Sequence, residues 1–343
     1  MKALVLKDFG TMSVEERPDP IAGPGQVLIR IVATGICGSD IHGFTGENGR
    51  RVPGQIMGHE SVGHIAALGA GLDSSALEVG QVVTFNPVVV SEEDAVTYAG
   101  REQHSPNKYV IGVRHDVVAS FAQLITVPAR NVVVLPDGIP IAYGALIEPL
   151  AVAVHAIRRV HALSGQSVLV IGGGPIGQSV VLALLMEGVT DIIVSEVDPG
   201  RRALNERLGA RVIDPGSGQV SEQVRSVFGD LADVSIDAVG IRRTVADALL
   251  ATKFGGSICL VGMGSPTLEF DAFRVSTEER TIVGSFTYSA QDFKDAADWI
   301  AGAPAVAAEL ITREVSLDEA NAAFLGLSQH DGTPGKVLVR LDS

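Results

Sequence analysis

The sequence predicts an α/β plus β chain, in which a strand-rich domain of barrel or sandwich type is joined to an open, doubly wound parallel sheet. Two changes of rhythm carry this reading. Up to about residue 150, short β-runs at 27–33, 61–68, 82–85, 121–127 and 132–135 are broken by Gly and Pro, a spacing that suits an all-β domain with chemistry in its loops. From 151 to 283, apolar strands at 168–171, 191–194, 234–236 and 257–261 alternate with helical stretches such as 201–208. Continuous apolar runs suit strands buried on both faces, and the alternation argues for parallel pairing. A third piece, 284–343, shows one more helix and a terminal strand at 336–341 that returns to the first domain. The expected domains are therefore 1–150 with 284–343, and 151–283.

Length and charge bound the function. A chain of 343 residues with 46% hydrophobic and 19% charged residues is globular and long enough for two cores. Its 40 acidic residues against 26 basic ones give a net charge of -14, which repels phosphate backbones and predicts no nucleic-acid partner. No apolar run reaches the roughly 20 residues that cross a bilayer, so no membrane partner is expected. The charged N-terminus lacks a signal peptide's apolar core. With only Cys37 and Cys259 to pair, a disulfide framework is excluded and a reducing cytoplasm fits.

Gly172-Gly173-Gly174-Pro175-Ile176-Gly177 follows an apolar strand and opens an apolar helix, the context in which G-x-G-x-x-G reads as a dinucleotide site. The first glycine permits a tight turn, the second lets backbone approach a pyrophosphate, and the third lets helix and strand pack closely. The helix N-terminus then faces the phosphates. Glu196 stands at the end of the second strand, where a carboxylate accepts the ribose hydroxyls and repels a 2′-phosphate. NAD is expected over NADP, although Arg201 and Arg202 lie just beyond, either to receive a phosphate or to form a solvated helix face.

Cys37-Gly38-Ser39-Asp40-Ile41-His42 is read as a glycine-flanked loop after a strand, His59-Glu60 precedes the next strand, and Glu148 falls at the domain junction. Thiolate, imidazole and carboxylate are all competent zinc ligands. In the order and spacing of Cys-Gly-Ser-Asp-x-His, Gly-His-Glu, Glu-Pro-Leu and the glycine fingerprint, the chain resembles the zinc-dependent medium-chain dehydrogenases over essentially its whole length. Glu148-Pro149-Leu150 and Gly284-Ser285-Phe286-Thr287-Tyr288 look most like the sorbitol, butanediol and threonine dehydrogenase branch.

The resemblance implies a GroES-like catalytic domain, discontinuous in sequence, with a Rossmann domain between its parts. It implies one catalytic zinc held by Cys37 and His59. Glu60 is a direct ligand in some members and a supporting group in others, and Glu148 binds directly or through water. Both carboxylates at once would close the site, so they are not expected to ligate together during turnover. The implied reaction is hydride transfer from an alcohol to NAD, the metal lowering the alcohol's pKa towards the neutral range. Ser39 takes the proton and passes it by way of the cofactor ribose to His42, while Asp40 accepts the N–H of His59. The implied partners are a small-molecule alcohol and further copies of the chain, as a homodimer or homotetramer.

Two other readings stay open. A zinc-free NADPH quinone or enone reductase of the same superfamily needs neither Cys37 nor His59. A non-catalytic NAD-binding protein would leave Ser39 and His42 unconstrained.

Many members hold a structural zinc with four closely spaced cysteines. Those positions here are Ser91, Asp94, Thr97 and Ser105, which predicts no structural zinc and a solvated acidic loop. Thr287 stands where sorbitol-type enzymes tend to have Arg, so a sugar, cyclitol or amino-alcohol competes with sorbitol as substrate. Phe44, Glu47, Asn48, Arg50 and Arg51 are candidates for the pocket entrance. Cys259, in an apolar strand, reads as buried and inert.

Overall fold

The computed structural model describes residues 1–47, 49–72 and 76–342, so Asn48 lies outside the described residues. The chain forms two compact units, Met1–Glu148 with Ser289–Ser343, and Pro149–Tyr288.

The first unit is built on one long strand, Gln26–Gly35, whose second half is buried almost throughout. Across the seven-stranded sheet lie Ile311–Ser316, Lys336–Arg340, Gln26–Gly35, Glu60–Leu68, Val82–Phe85 and Val132–Val134, and Leu124–Pro128 also pairs with Gln26–Gly35. The apolar sides of these strands share a core with Leu4, Phe44, Phe121 and Phe324. Phe324 meets the rings of Phe44 and Phe121, each at 5.5 Å between centroids. Phe44 is therefore core, not pocket lining.

Three local expectations change. Residues 38–45 form a helix, Gly38–Thr45, where a loop was expected. The Asp40 carboxylate accepts the N–H of Cys37 at 3.2 Å, and the Cys37 carbonyl accepts from Asp40 and Ile41. This exchange starts a helix that two glycines and a threonine would otherwise disfavour. The last piece of the chain holds two helices, Ala290–Ala301 and Ala320–Ser328, and a strand, Ile311–Ser316, in addition to the terminal one. That strand is short, at one edge of the sheet and mostly half-buried or exposed, so its alternation is weak. The segment 141–159 is continuous helix, 19 residues long and apolar enough by length and composition to cross a bilayer. It is mostly buried within the structure and carries Glu148, Arg158 and Arg159.

The expected acidic loop is also more ordered than solvation alone would make it. Ser91 caps the short helix Glu92–Thr97 by accepting from Asp94 N–H at 3.0 Å. Asp94 is buried and accepts from Ser105 Oγ at 2.7 Å and Asn107 Nδ2 at 3.2 Å. Three of the four positions that hold cysteine in zinc-bearing relatives thus form one hydrogen-bonded hub. Losing hydrogen bonds to a buried charge costs about 1.5–3 kcal/mol each. Asp94→Ala should speed amide exchange across 91–107 by at least ~10-fold, read by hydrogen-exchange mass spectrometry. A chelator should leave that segment's exchange unchanged, and loosening by chelator would mean that a metal holds it.

In the second unit, six parallel strands are Ser167–Ile171, Asp191–Ser195, Arg211–Ile213, Ala232–Asp237, Thr252–Leu260 and Thr281–Gly284. Numbered in chain order, they lie 3-2-1-4-5-6 across the sheet, the doubly wound order of a dinucleotide-binding domain. Cys259 is buried there, and burial pushes its thiol up to about 12, so it is unreactive at neutral pH.

Candidate functional site

Sheet register brings the metal-binding side chains together. Gln26–Gly35 and Glu60–Leu68 are antiparallel neighbours with Gly35 opposite Glu60. The residue just beyond the end of one strand, Cys37, therefore meets the residues at the start of the other, His59 and Glu60. Their ligand atoms all lie within 4.8 Å of one another. Glu148 is not part of this cluster but is buried near enough to act on His59 through its charge.

Asp40 and His59 are buried. Asp40 Oδ1 lies 3.7 Å from His59 Nδ1 and 3.8 Å from Arg51 Nη2, longer than hydrogen bonds, and among the described residues none of these three atoms has a hydrogen-bond partner. Burial raises the Asp40 carboxyl above its ordinary range. Burial alone would lower the His59 imidazole, but Asp40, Cys37 and Glu148 outweigh it and raise the imidazole well above its usual value. The potential anions Cys37, Asp40, Glu60 and Glu148 face two buried cations, Arg51 and Lys336, and a divalent ion makes up the difference. Donor chemistry and charge both fit zinc.

Ser39 and His42 stand one turn apart on the helix Gly38–Thr45. His42 is at the surface, its Nδ1 3.0 Å from Glu47 Oε2. Arg51 is interior, with a side chain 1% exposed, whereas Glu47 and Arg50 are exposed.

At the glycine loop, Gly174 caps the helix Pro175–Met186, with Pro175 at its first position. A β-carbon on Gly177 would overlap the carbonyl oxygen of Gly172, so only glycine lets the helix sit against the strand end. Ile176 is part of that helix's first turn. Glu196 is buried, its Oε2 accepting from Gly173 N–H at 2.7 Å and its Oε1 from Asp198 N–H at 2.8 Å. Each oxygen keeps a lone pair for a further donor. Arg202 Nη1 donates to the carbonyls of Glu196 and Val197, and the side chain pairs with Asp214 at 3.4 Å. Arg201 lies instead over Gly174.

Sequence reasoning missed two residues here. Asn205 Nδ2 ties Gly173 O and Arg201 O together at 2.9 and 2.8 Å, and only its place on an otherwise charged helix hinted at it. Lys336, on the terminal strand, reaches Glu60, and nothing local to either residue signalled it.

Comparison with known proteins agrees with this geometry. Residues 23–137 match the alcohol dehydrogenase GroES-like domain, and residues 175–302 match the zinc-binding dehydrogenase family. The chain is 32% identical over 296 residues to L-galactonate-5-dehydrogenase of Escherichia coli (strain K12), covering 85% of each. The structure of 2R,3R-butanediol dehydrogenase from Bacillus subtilis superposes with a TM-score of 0.89 at 27% identity, covering 99% of both chains. An NADP-bound structure from Sinorhizobium meliloti 1021 gives 0.86 at 30% identity, covering 99% of this chain and 98% of that one. The GroES-like fold, the Rossmann sheet and the zinc-type cluster converge: the chain belongs to the zinc-dependent medium-chain alcohol and polyol dehydrogenases.

Proposed function

We propose that the protein oxidises a secondary alcohol of a polyol, sugar, cyclitol or amino-alcohol, with NAD as hydride acceptor and one zinc per chain. The observation that carries this is the Cys37–His59–Glu60 cluster. A zinc ion in it supplies a Lewis acid for the alcohol oxygen. Cys37, just before the helix Gly38–Thr45, would bind the ion through its sulfur. His59 offers its imidazole, Asp40 sits behind it, and Glu148 supplies further negative charge. Ser39 accepts the alcohol proton, and His42 releases it to solvent beside Glu47. Gly172, Gly174 and Gly177 shape the pyrophosphate loop. Glu196 takes the ribose hydroxyls and its charge opposes a 2′-phosphate, while Arg202 turns its Nη1 onto the carbonyls of Glu196 and Val197. We place the protein in the cytoplasm as a homodimer or homotetramer.

The test joins metal analysis to a substrate screen. Purified protein should carry about one zinc per chain, and chelation should abolish oxidation of a panel of polyols, sugars, cyclitols and amino-alcohols with NAD. Full activity in metal-free protein would sink the reading.

A further inference from the structure

A buried cation paired with a member of the cluster comes from far along the chain. Lys336 opens the strand Lys336–Arg340, which pairs with Gln26–Gly35 through Leu338 opposite Gly35 and Val339 opposite Thr34. Ile36 N–H donates to Val337 O at 2.9 Å. This register delivers Lys336 beside Cys37. Its side chain is 3% exposed and that of Glu60 is 0% exposed. Nζ stands 2.8 Å from Oε1 and 2.7 Å from Oε2, so the ion pair spans both carboxylate oxygens. Beneath them lies Gly35, where a β-carbon would overlap Glu60 Oε2. The carboxylate therefore occupies a notch made by a missing side chain and closed by a buried ammonium.

We propose that Lys336 is a positioning residue that holds Glu60 off the zinc, so that Cys37 and His59 bind the ion while a coordination position stays open for the alcohol. This rests on the zinc reading above. A buried carboxylate deprived of the ammonium paired with it must find another cation, and with the cluster's ligand atoms within 4.8 Å the metal would lie close by. Removing Lys336 therefore adds a ligand to the metal instead of loosening it.

The first measurement is zinc release to a chromophoric chelator. Lys336→Met should release zinc ~10-fold more slowly than wild type while kcat falls, a magnitude in the range by which groups around a metal alter its affinity. Adding Glu60→Gln to that variant should return release to the wild-type rate or faster, and Lys336→Arg should behave as wild type. Cobalt-substituted Lys336→Met should show the weaker visible absorption of a higher coordination number, which a purely structural role would not produce. Release from Lys336→Met at the wild-type rate or faster overturns the proposal. Should that variant fail to fold, the zinc-loaded wild type decides by crystallography. Glu60 on Lys336 supports the assignment, and a Glu60 oxygen at about 2.0–2.2 Å from the ion overturns it. A wild-type chain that binds no zinc defeats the zinc reading itself, a result distinct from either.

Discussion

Replacing Cys37 by alanine is expected to reduce bound zinc from about one ion per chain to under a tenth, and to lower kcat/KM roughly 10³-fold or more. The reason is charge as well as ligand count. Cys37 is the cluster's only thiolate donor, and its loss leaves the ion with an imidazole and carboxylates, one of them occupied by Lys336. Lewis-acid stabilisation is worth several kcal/mol, and about 4 kcal/mol corresponds to the stated factor. The fold should survive, because the Cys37 backbone carbonyl starts the helix and alanine keeps that carbonyl. Elemental analysis beside a thermal melt checks both halves. Retained zinc and retained turnover in a folded variant would remove Cys37 from the site.

Glu196→Ser should change cofactor preference by ~10²-fold or more, lowering kcat/KM with NAD and raising it with NADP. Hydrogen bonds to a charged group contribute about 1.5–3 kcal/mol each, and in the proposed reading the carboxylate accepts from two ribose hydroxyls. Its negative charge also opposes a phosphate at the same place. Serine removes both effects and leaves Arg201 and Arg202 as the local charges. Part of the loss will be structural, since Glu196 also accepts the N–H groups of Gly173 and Asp198. The ratio of the two cofactors' kcat/KM isolates the electrostatic part, because a distorted loop weakens both. An unchanged ratio would mean that Glu196 does not read the ribose.

What the sequence disclosed follows a physical division. The glycine loop and the grouping of Cys37, His59 and Glu60 were legible because close helix–strand packing and the gathering of metal-competent side chains each tolerate few residue types at fixed spacing. The parallel sheet was legible because strands buried on both faces must be continuously apolar. The helix at Gly38–Thr45 was not, since it depends on one carboxylate accepting one backbone N–H across three residues. Arg51 was placed at a pocket rim because arginine is seldom buried, yet it packs against Gly43 beside Asp40. Lys336 was invisible for a different reason. A lysine at the start of a terminal strand reads as solvated, and only the register with Gln26–Gly35 carries it to Glu60. The buried Asp94 hub was hidden in the same way, in side chains that composition assigns to solvent.

That long-range pairing also sets a timetable for synthesis. Glu60 and Lys336 are 276 positions apart, and at roughly 5–20 residues per second the second is made about 14 to 55 s after the first. Cys37, His59 and Glu60 emerge early and close together, while the strand that completes their sheet and brings the ammonium arrives only after the entire nucleotide-binding unit. During that interval Glu60 has no lysine to hold it. An ion captured by the nascent segment would meet a different set of donors from one captured by the finished protein.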